Sequence, residues 1–314
     1  MIRRPPRSTQ SRSSAASDVY KRQVSVINEN DEIVFSAEEE RFSRIKYNFI
    51  PAGNSKNFRE SVNPYSAFNA ALSFCKGGTI ESIGIYSSFP ISNCDTYKFS
   101  RECSRLRFFD HHQCHAAAAF YTSGFEEGSY IFTCDSIDSV LTKHPKSMTL
   151  WKIENGKMQL LESVTPEYSI GTVYALFAFV LFNDVFASGK LMGLAAYGNS
   201  DDSINFINDY FPELNGLSGM KKNVLYRVMG SNELSYSHYT FSHVVTTDVL
   251  RKISSFSRED VAASIQKTFE DKMMAIFNYI SNTYGKTNIA LGLSLIHISE
   301  PHETPEHLVC RLLL

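Results

Sequence analysis

Phe108-Phe109-Asp110-His111-His112-Gln113-Cys114-His115-Ala116-Ala117-Ala118-Ala119-Phe120-Tyr121 reads as the end of an apolar strand running into an alanine-rich helix. Asp110 is a good N-cap type at that junction, because its carboxylate can accept from the free N–H groups of a first turn. His111 and His115 are four residues apart, so on a helix both imidazoles share one face about a turn apart. Two histidines at that spacing can grip one divalent metal when neutral nitrogens converge with a third ligand. The helix N-terminus also offers N–H groups to an anion. The plain alternative is a polar first turn with capping histidines. His112 points elsewhere and reads as a contact behind the ligands or to a phosphate.

Working outward, strands and helices alternate on both sides of this junction. Short apolar runs at 24–27 and 33–37 flank Asn28-Glu29-Asn30-Asp31, which is hairpin turn chemistry. Residues 65–75 carry apolar positions at helical spacing before a Lys76-Gly77-Gly78 stop. Residues 83–86 and 106–109 read as buried strands, and 130–134 as another. A second hairpin spans 148–153 and 158–161 around Asn155-Gly156. Residues 171–182 form an apolar helix and 260–284 a long amphipathic one, and a strand returns at 287–291. The pattern predicts an α/β fold with a mixed β-sheet and flanking helices.

Three further stretches carry candidate chemistry. Cys134-Asp135-Ser136-Ile137-Asp138-Ser139 follows an apolar strand, and Asp135 is placed to be a third ligand beside His111 and His115. An Asx or Ser turn ending the strand is the structural alternative. Ser188-Gly189-Lys190-Leu191-Met192-Gly193 puts a point cation, Lys190, among the small residues Gly189 and Gly193. It lacks the leading glycine and Lys-Ser/Thr end of a Walker A loop, and by itself reads as a packed turn with an exposed lysine. Glu38-Glu39-Glu40-Arg41-Phe42-Ser43-Arg44 reads first as a solvated charge run. On one helical face, however, Arg41 and Arg44 could meet an anion.

The formal net charge of −2 gives no general attraction to nucleic acid or an anionic membrane. No apolar run reaches the length of a membrane span. Six scattered cysteines, without CxxC pairs, point to a reducing cytoplasm.

The ends read differently. Residues 1–23 are rich in Arg, Ser and Pro, lack the apolar stretch of a secretory signal, and cannot form a transit-peptide helix through RRPPRS. Residues 293–314 interrupt a segment behaving as a strand. Both resemble translated sequencing-adapter DNA, where DVYKRQ and SLIHISEP recur, with natural disordered tails as the alternative. The expected domain is therefore 24–292, incomplete at both ends.

AEEERFSRIK, HHQCHAAAAFY, SIGTVY and SGKLMGLAAYG occur in this order, followed by Asp260-Val261-Ala262-Ala263-Ser264-Ile265-Gln266. They resemble successive blocks of the carbamoyltransferase family of the nodulation-protein-U type, where similar strings read EEERFTRxK, HHxxHAAxAF, SLGxxY, GKVMGLAxYG and DIAASVQ. The resemblance covers nearly all of 24–292. It implies an N-terminal domain of the actin-like ATPase (ribonuclease H-like) superfamily. It also implies a YrdC-like domain that makes carbamoyl-adenylate from carbamoyl phosphate and ATP, and transfer of the carbamoyl group to a small-molecule hydroxyl. By the same resemblance, His111, His115 and Asp135 are ligands of a divalent metal, iron by preference. Lys190, Gly189 and Gly193 form the nucleotide side, and Arg41 is an anion contact.

The family pattern also has an opening loop before Val24, glycines at the positions of Ser136 and Asp138, and a Gly-Gly phosphate loop after Gly292. None of these is read here, so the chain as written is expected to be inactive alone. A nucleotide-binding scaffold with a degenerate site is the alternative function. A metal hydrolase resting on HxxxH lacks the nearby glutamate base.

Overall fold

The computed structural model describes residues 23–44, 66–75, 80–85, 93–135, 145–184, 187–200, 202–225, 243–293 and 311–313. Ser136 and Asp138 lie outside the described residues, as do both tails except residues 23, 293 and 311–313. The chain divides into two units, Met1–Asp110 and His111–Leu314.

In the first unit, β1 (Gln23–Ile27) and β2 (Ile33–Glu38) form the expected antiparallel hairpin. The side-chain oxygen of Asn28 accepts from the N–H groups of Asn30 and Glu32, and Asp31 takes the left-handed conformation that aspartate tolerates. A short helix, α1 (Glu40–Ser43), follows, and α2 (Ser66–Phe74) packs on both strands. Glu39 lies within the acidic run yet is only 1% exposed. Its carboxylate oxygens accept from the backbone N–H groups of Ser66 at 2.9 Å and Ala67 at 2.7 Å. It thus satisfies two of the free donors at the start of α2 and places negative charge at the positive end of that helix.

The same unit contains β3 (Ile80–Ile85), α3 (Asn93–Glu102) and β4 (Cys103–Phe108), with β3 and β4 parallel. The buried strands expected at 83–86 and 106–109 are corrected here. No residue of β4 is buried, and Phe108 and Phe109 are 59% and 43% exposed. Arg105 and Arg107 break the apolar run of β4, so the strand carries one thin apolar stripe.

The second unit begins with α4 (His111–Ser123), then β5 (Tyr130–Cys134), β6 (Met148–Glu154), β7 (Lys157–Val164) and α5 (Ile170–Phe182). Asn155 and Gly156 both have positive φ, as the tight turn joining β6 to β7 requires. There follow α6 (Ser188–Ala195), a short hairpin of β8 (Glu213–Asn215) and β9 (Ser218–Lys221), α7 (His243–Ile253), α8 (Arg258–Tyr284), β10 (Asn288–Leu293) and β11 (Arg311–Leu313). The main sheet runs β11-β10-β5-β6-β7, with β10 parallel to β5 and the other pairs antiparallel. This is the mixed sheet with flanking helices that the pattern implied. Segment 293–314, set aside by sequence, supplies Leu293 to β10 and the whole of β11, which pairs Leu313 with Asn288.

Both faces of this sheet are covered, which accounts for the unbroken run Tyr-Ile-Phe-Thr-Cys in β5. Tyr130, Phe132 and Cys134 face a large core with Met148, Leu150, Ile289, Leu291 and the apolar sides of α5 and α8. Ile131 faces the other way, with Trp151, Ile153 and Ala290, against Ala116 and Ala119 of α4. The amphipathic α8 starts at Ser257, whose hydroxyl accepts from the Asp260 N–H at 3.0 Å, and ends at Gly285 with φ 90°.

The segment 188–195, read by sequence as a packed turn, is helical, consistent with its Lys, Leu, Met and Ala. The turn after it docks on the start of α8: the Asn199 N–H donates to Asp260 Oδ1 at 2.8 Å. A Cβ at Gly198 would collide with the Glu259 carbonyl, which is backbone and cannot swing away. Gly198→Ala is therefore expected to lower stability by about 1–3 kcal/mol. An unchanged urea unfolding midpoint would count against this close docking.

Candidate metal centre

The α4 helix lies across the end of β5, and the alternation of the strand decides what they share. Ile131 and Thr133 face α4, and Asp135 continues the same face one step past the strand. The backbone of Asp135 is held from two sides. Its N–H donates to the Ser147 carbonyl at 2.8 Å, and its carbonyl accepts from Ser169 Oγ at 3.2 Å. The same Ser169 oxygen caps α5 by accepting from the Thr172 N–H at 3.0 Å. The Ser169-Ile170-Gly171-Thr172 stretch thus joins the start of α5 to the site.

His111, His115 and Asp135 are 3%, 4% and 3% exposed. Asp135 Oδ2 lies 2.5 Å from His111 Nε2 and 3.7 Å from His115 Nε2, and the two nitrogens are 3.1 Å apart. Ligand atoms about 2.1 Å from a tetrahedral ion would lie roughly 3.4 Å from one another, inside this spread. Two imidazole nitrogens and one carboxylate oxygen, buried and converging, fit a divalent cation. Among the described residues this is the one group of three or more histidine, cysteine or acidic side chains with that convergence. Gly292 helps α4 approach the sheet. A Cβ there would stand 3.0 Å from the His115 carbonyl oxygen.

The protonation states suit ligation. Burial pushes the Asp135 carboxyl up, but the hydrogen bonds and charges of His111 and His115 outweigh it and hold the group well below the usual carboxylate range. Burial, followed by the neighbouring His111, pushes His115 down. A carboxylate and a neutral imidazole are the forms a metal takes. Cys134 faces the opposite core, and burial, then the Asp135 charge, pushes its thiol up, so it offers no thiolate.

The remaining sequence candidates stand on other elements. Lys190 is on α6, exposed, with Nζ 3.8 Å from Asp184 Oδ2. Gly189 is half-buried and Gly193 exposed, and a Cβ at Gly193 would meet nothing within 4 Å. Arg41 is exposed on α1 of the first unit. Sequence reasoning passed over Thr133, fully buried, whose hydroxyl lies 2.7 Å from His112 Nδ1. The available signal was its place two residues before Asp135 in an apolar strand.

His112 is fully buried, and burial, then the charge of His111, pushes its pKa down to about 3. A histidine that protonates in the unfolded chain but stays neutral when folded makes the unfolded state bind more protons. Stability therefore falls as pH drops below about 6.5 toward 3. In the metal-free chain this residue alone should contribute a slope of about 1.4 kcal/mol per pH unit across that window. Urea titrations at several pH values should show the slope reduced by about one proton in His112→Asn. An unaltered slope would contradict the buried neutral state.

Residues 28–295 match the family model described as Carbamoyltransferase N-terminus. Nodulation protein NolNO of Sinorhizobium fredii is 24% identical over 294 residues, covering 87% of this chain and 40% of that protein. The uncharacterized protein sll1178 of Synechocystis is 25% identical over 205 residues, covering 64% of this chain and 31% of its own. The uncharacterized protein MJ1058 of Methanocaldococcus jannaschii is 26% identical over 212 residues, covering 60% and 30%. The chain thus spans between 30% and 40% of the length of these relatives. The matched span exceeds half of the 314 residues, and the chain belongs to the carbamoyltransferase family through this N-terminal domain.

Proposed function

We propose that this domain performs the transfer half of an O-carbamoyltransferase reaction. It takes carbamoyl-adenylate, made from carbamoyl phosphate and ATP by a YrdC-like domain, and passes the carbamoyl group to a hydroxyl of a small-molecule acceptor. The observation that carries the reading is the buried convergence of His111, His115 and Asp135 inside a carbamoyltransferase N-terminal domain. In the transfer, a bond forms between the acceptor oxygen and the carbamoyl carbon. The bond from that carbon to the phosphate oxygen breaks, the hydroxyl proton is released, and AMP leaves.

His111, His115 and Asp135 would hold a divalent ion, iron by preference. When bound, the ion supplies Lewis acidity toward the carbamoyl-phosphate oxygens. The chain's own residues keep the carboxylate ionised and the imidazoles aimed at it, and the buried surroundings limit water near an activated acyl group.

The nucleotide side is assigned to Gly189, Lys190 and Gly193. Ala187 gives α6 no side-chain cap, and the buried Ser188 Oγ has no hydrogen-bond partner, so donors remain at that helix start. Lys190 would exchange its long contact with Asp184 for a phosphate oxygen. Arg41 is a further anion contact. A cytoplasmic location suits ATP and carbamoyl phosphate as partners. Among the described residues no helix is long and apolar enough to cross a membrane, and the net charge of −2 gives no footprint for nucleic acid.

Metal content provides the direct test. His111→Ala and His115→Ala should each weaken divalent-metal binding by at least about 100-fold. In a protein joining this domain to a YrdC-like domain, each should lower transfer by roughly 1,000-fold while adenylate formation persists. Wild-type metal content in both variants would overturn the ligand assignment. On the nucleotide side, Lys190→Ala should weaken carbamoyl-adenylate binding about tenfold, the worth of one charge-assisted hydrogen bond. Unchanged affinity would remove Lys190 from the site.

A further inference from the structure

His112 lies next to one proposed ligand and three residues from the other, yet both of its ring nitrogens bond away from the cluster. Nε2 is 3.2 Å from the Lys146 carbonyl, which can only accept, so Nε2 carries the hydrogen. Nδ1 is then an acceptor, and it takes the hydroxyl hydrogen of Thr133 at 2.7 Å. Thr133 Oγ1 in turn meets Thr149 Oγ1, which accepts from Trp151 Nε1 at 2.6 Å. Hydrogens therefore run one way, from Trp151 through Thr149 and Thr133 to His112 and on to Lys146. His112, Thr133 and Thr149 are fully buried and Trp151 is 7% exposed, so the middle of this chain crosses β5 and β6 in the interior.

The two anchors of His112 bracket Asp135. Thr133 stands two residues before it on β5, and Lys146 adjoins Ser147, whose carbonyl takes the Asp135 N–H. We infer that His112 is a positioning residue of the metal centre. It locks the first turn of α4 to the two backbone segments that hold Asp135, so that His111 and His115 face the carboxylate before a metal arrives. The inference rests on the metal reading proposed above. A buried network with every member satisfied fixes ring orientation, and pre-set ligands bind without a reorganisation cost. His112 thereby acts through the backbone and not through a bond to the ion.

Titration of the purified full chain with Co2+, followed by affinity and by the visible ligand-field spectrum, tests this. His112→Gln keeps a donor for Lys146 and loses the acceptor for Thr133. Thr133→Val removes the same bond from the other side with little change of shape. Each should weaken Co2+ binding about tenfold and shift the spectrum, as loss of outer-shell support does. The double variant should be no weaker than either single one, because both remove one interaction. Near-UV circular dichroism identifies variants that fold. Folded His112→Gln and Thr133→Val proteins with wild-type affinity and spectrum would overturn the inference while leaving the metal reading intact. A wild-type chain that binds no Co2+, or binds it equally after His111→Ala, would overturn the metal reading and this inference with it.

Discussion

The ionised carboxylate of Asp135 sits in the interior of the second unit, and the structure around it is arranged to tolerate that charge. An unpaired carboxylate at 3% exposure would be strongly unfavourable and would take up a proton. Two imidazole nitrogens face the carboxylate and hold it as an anion, while the Ser147 carbonyl and the Ser169 hydroxyl fix the backbone that carries it. The partners come from three places, so α4, the segment leading into β6, and the start of α5 are all tied to the end of β5. Removing the carboxylate would leave the two imidazoles buried without the anion they face, a larger cost than loss of one hydrogen bond.

Much of this arrangement was legible in the sequence, for identifiable reasons. The short runs flanking the Asn155-Gly156 turn and the long amphipathic α8 are local signals, and they gave the elements within a few residues. The i, i+4 spacing of His111 and His115 placed both on one face, and a strand-end aspartate completes them. The failures were equally physical. The apolar run expected at 106–109 is broken in β4 by Arg105 and Arg107, which leave the strand mostly exposed. Helix propensity at 188–195 was outweighed in the reading by its two glycines, Gly189 and Gly193.

Glu39 shows a different limit. Composition marked residues 38–44 as a solvated charge run, and six of those seven residues are polar or charged. The middle carboxylate is nevertheless buried because a helix beginning 27 residues later presents its free N–H groups there. Such a match between a charge and a distant helix end has no period and no local spacing, so only the folded chain displays it. The same holds for Thr133, whose importance comes from the ring of His112 21 residues earlier.

The alternation along β5 carries a consequence for how this protein can change. Residues 130, 132 and 134 belong to the large core, whereas 131, 133 and 135 serve the α4 face. The large core and the ligand cluster thus lie on opposite sides of one strand. Random libraries confined to the even positions could repack the interior while leaving the ligand cluster untouched, since volume-conserving apolar swaps are well tolerated. Libraries at 133 and 135 would explore new donor sets while sparing the large core, at the cost of the buried polar network on that face. A single strand therefore offers laboratory evolution two registers, one in the large core and one that meets the ligand cluster.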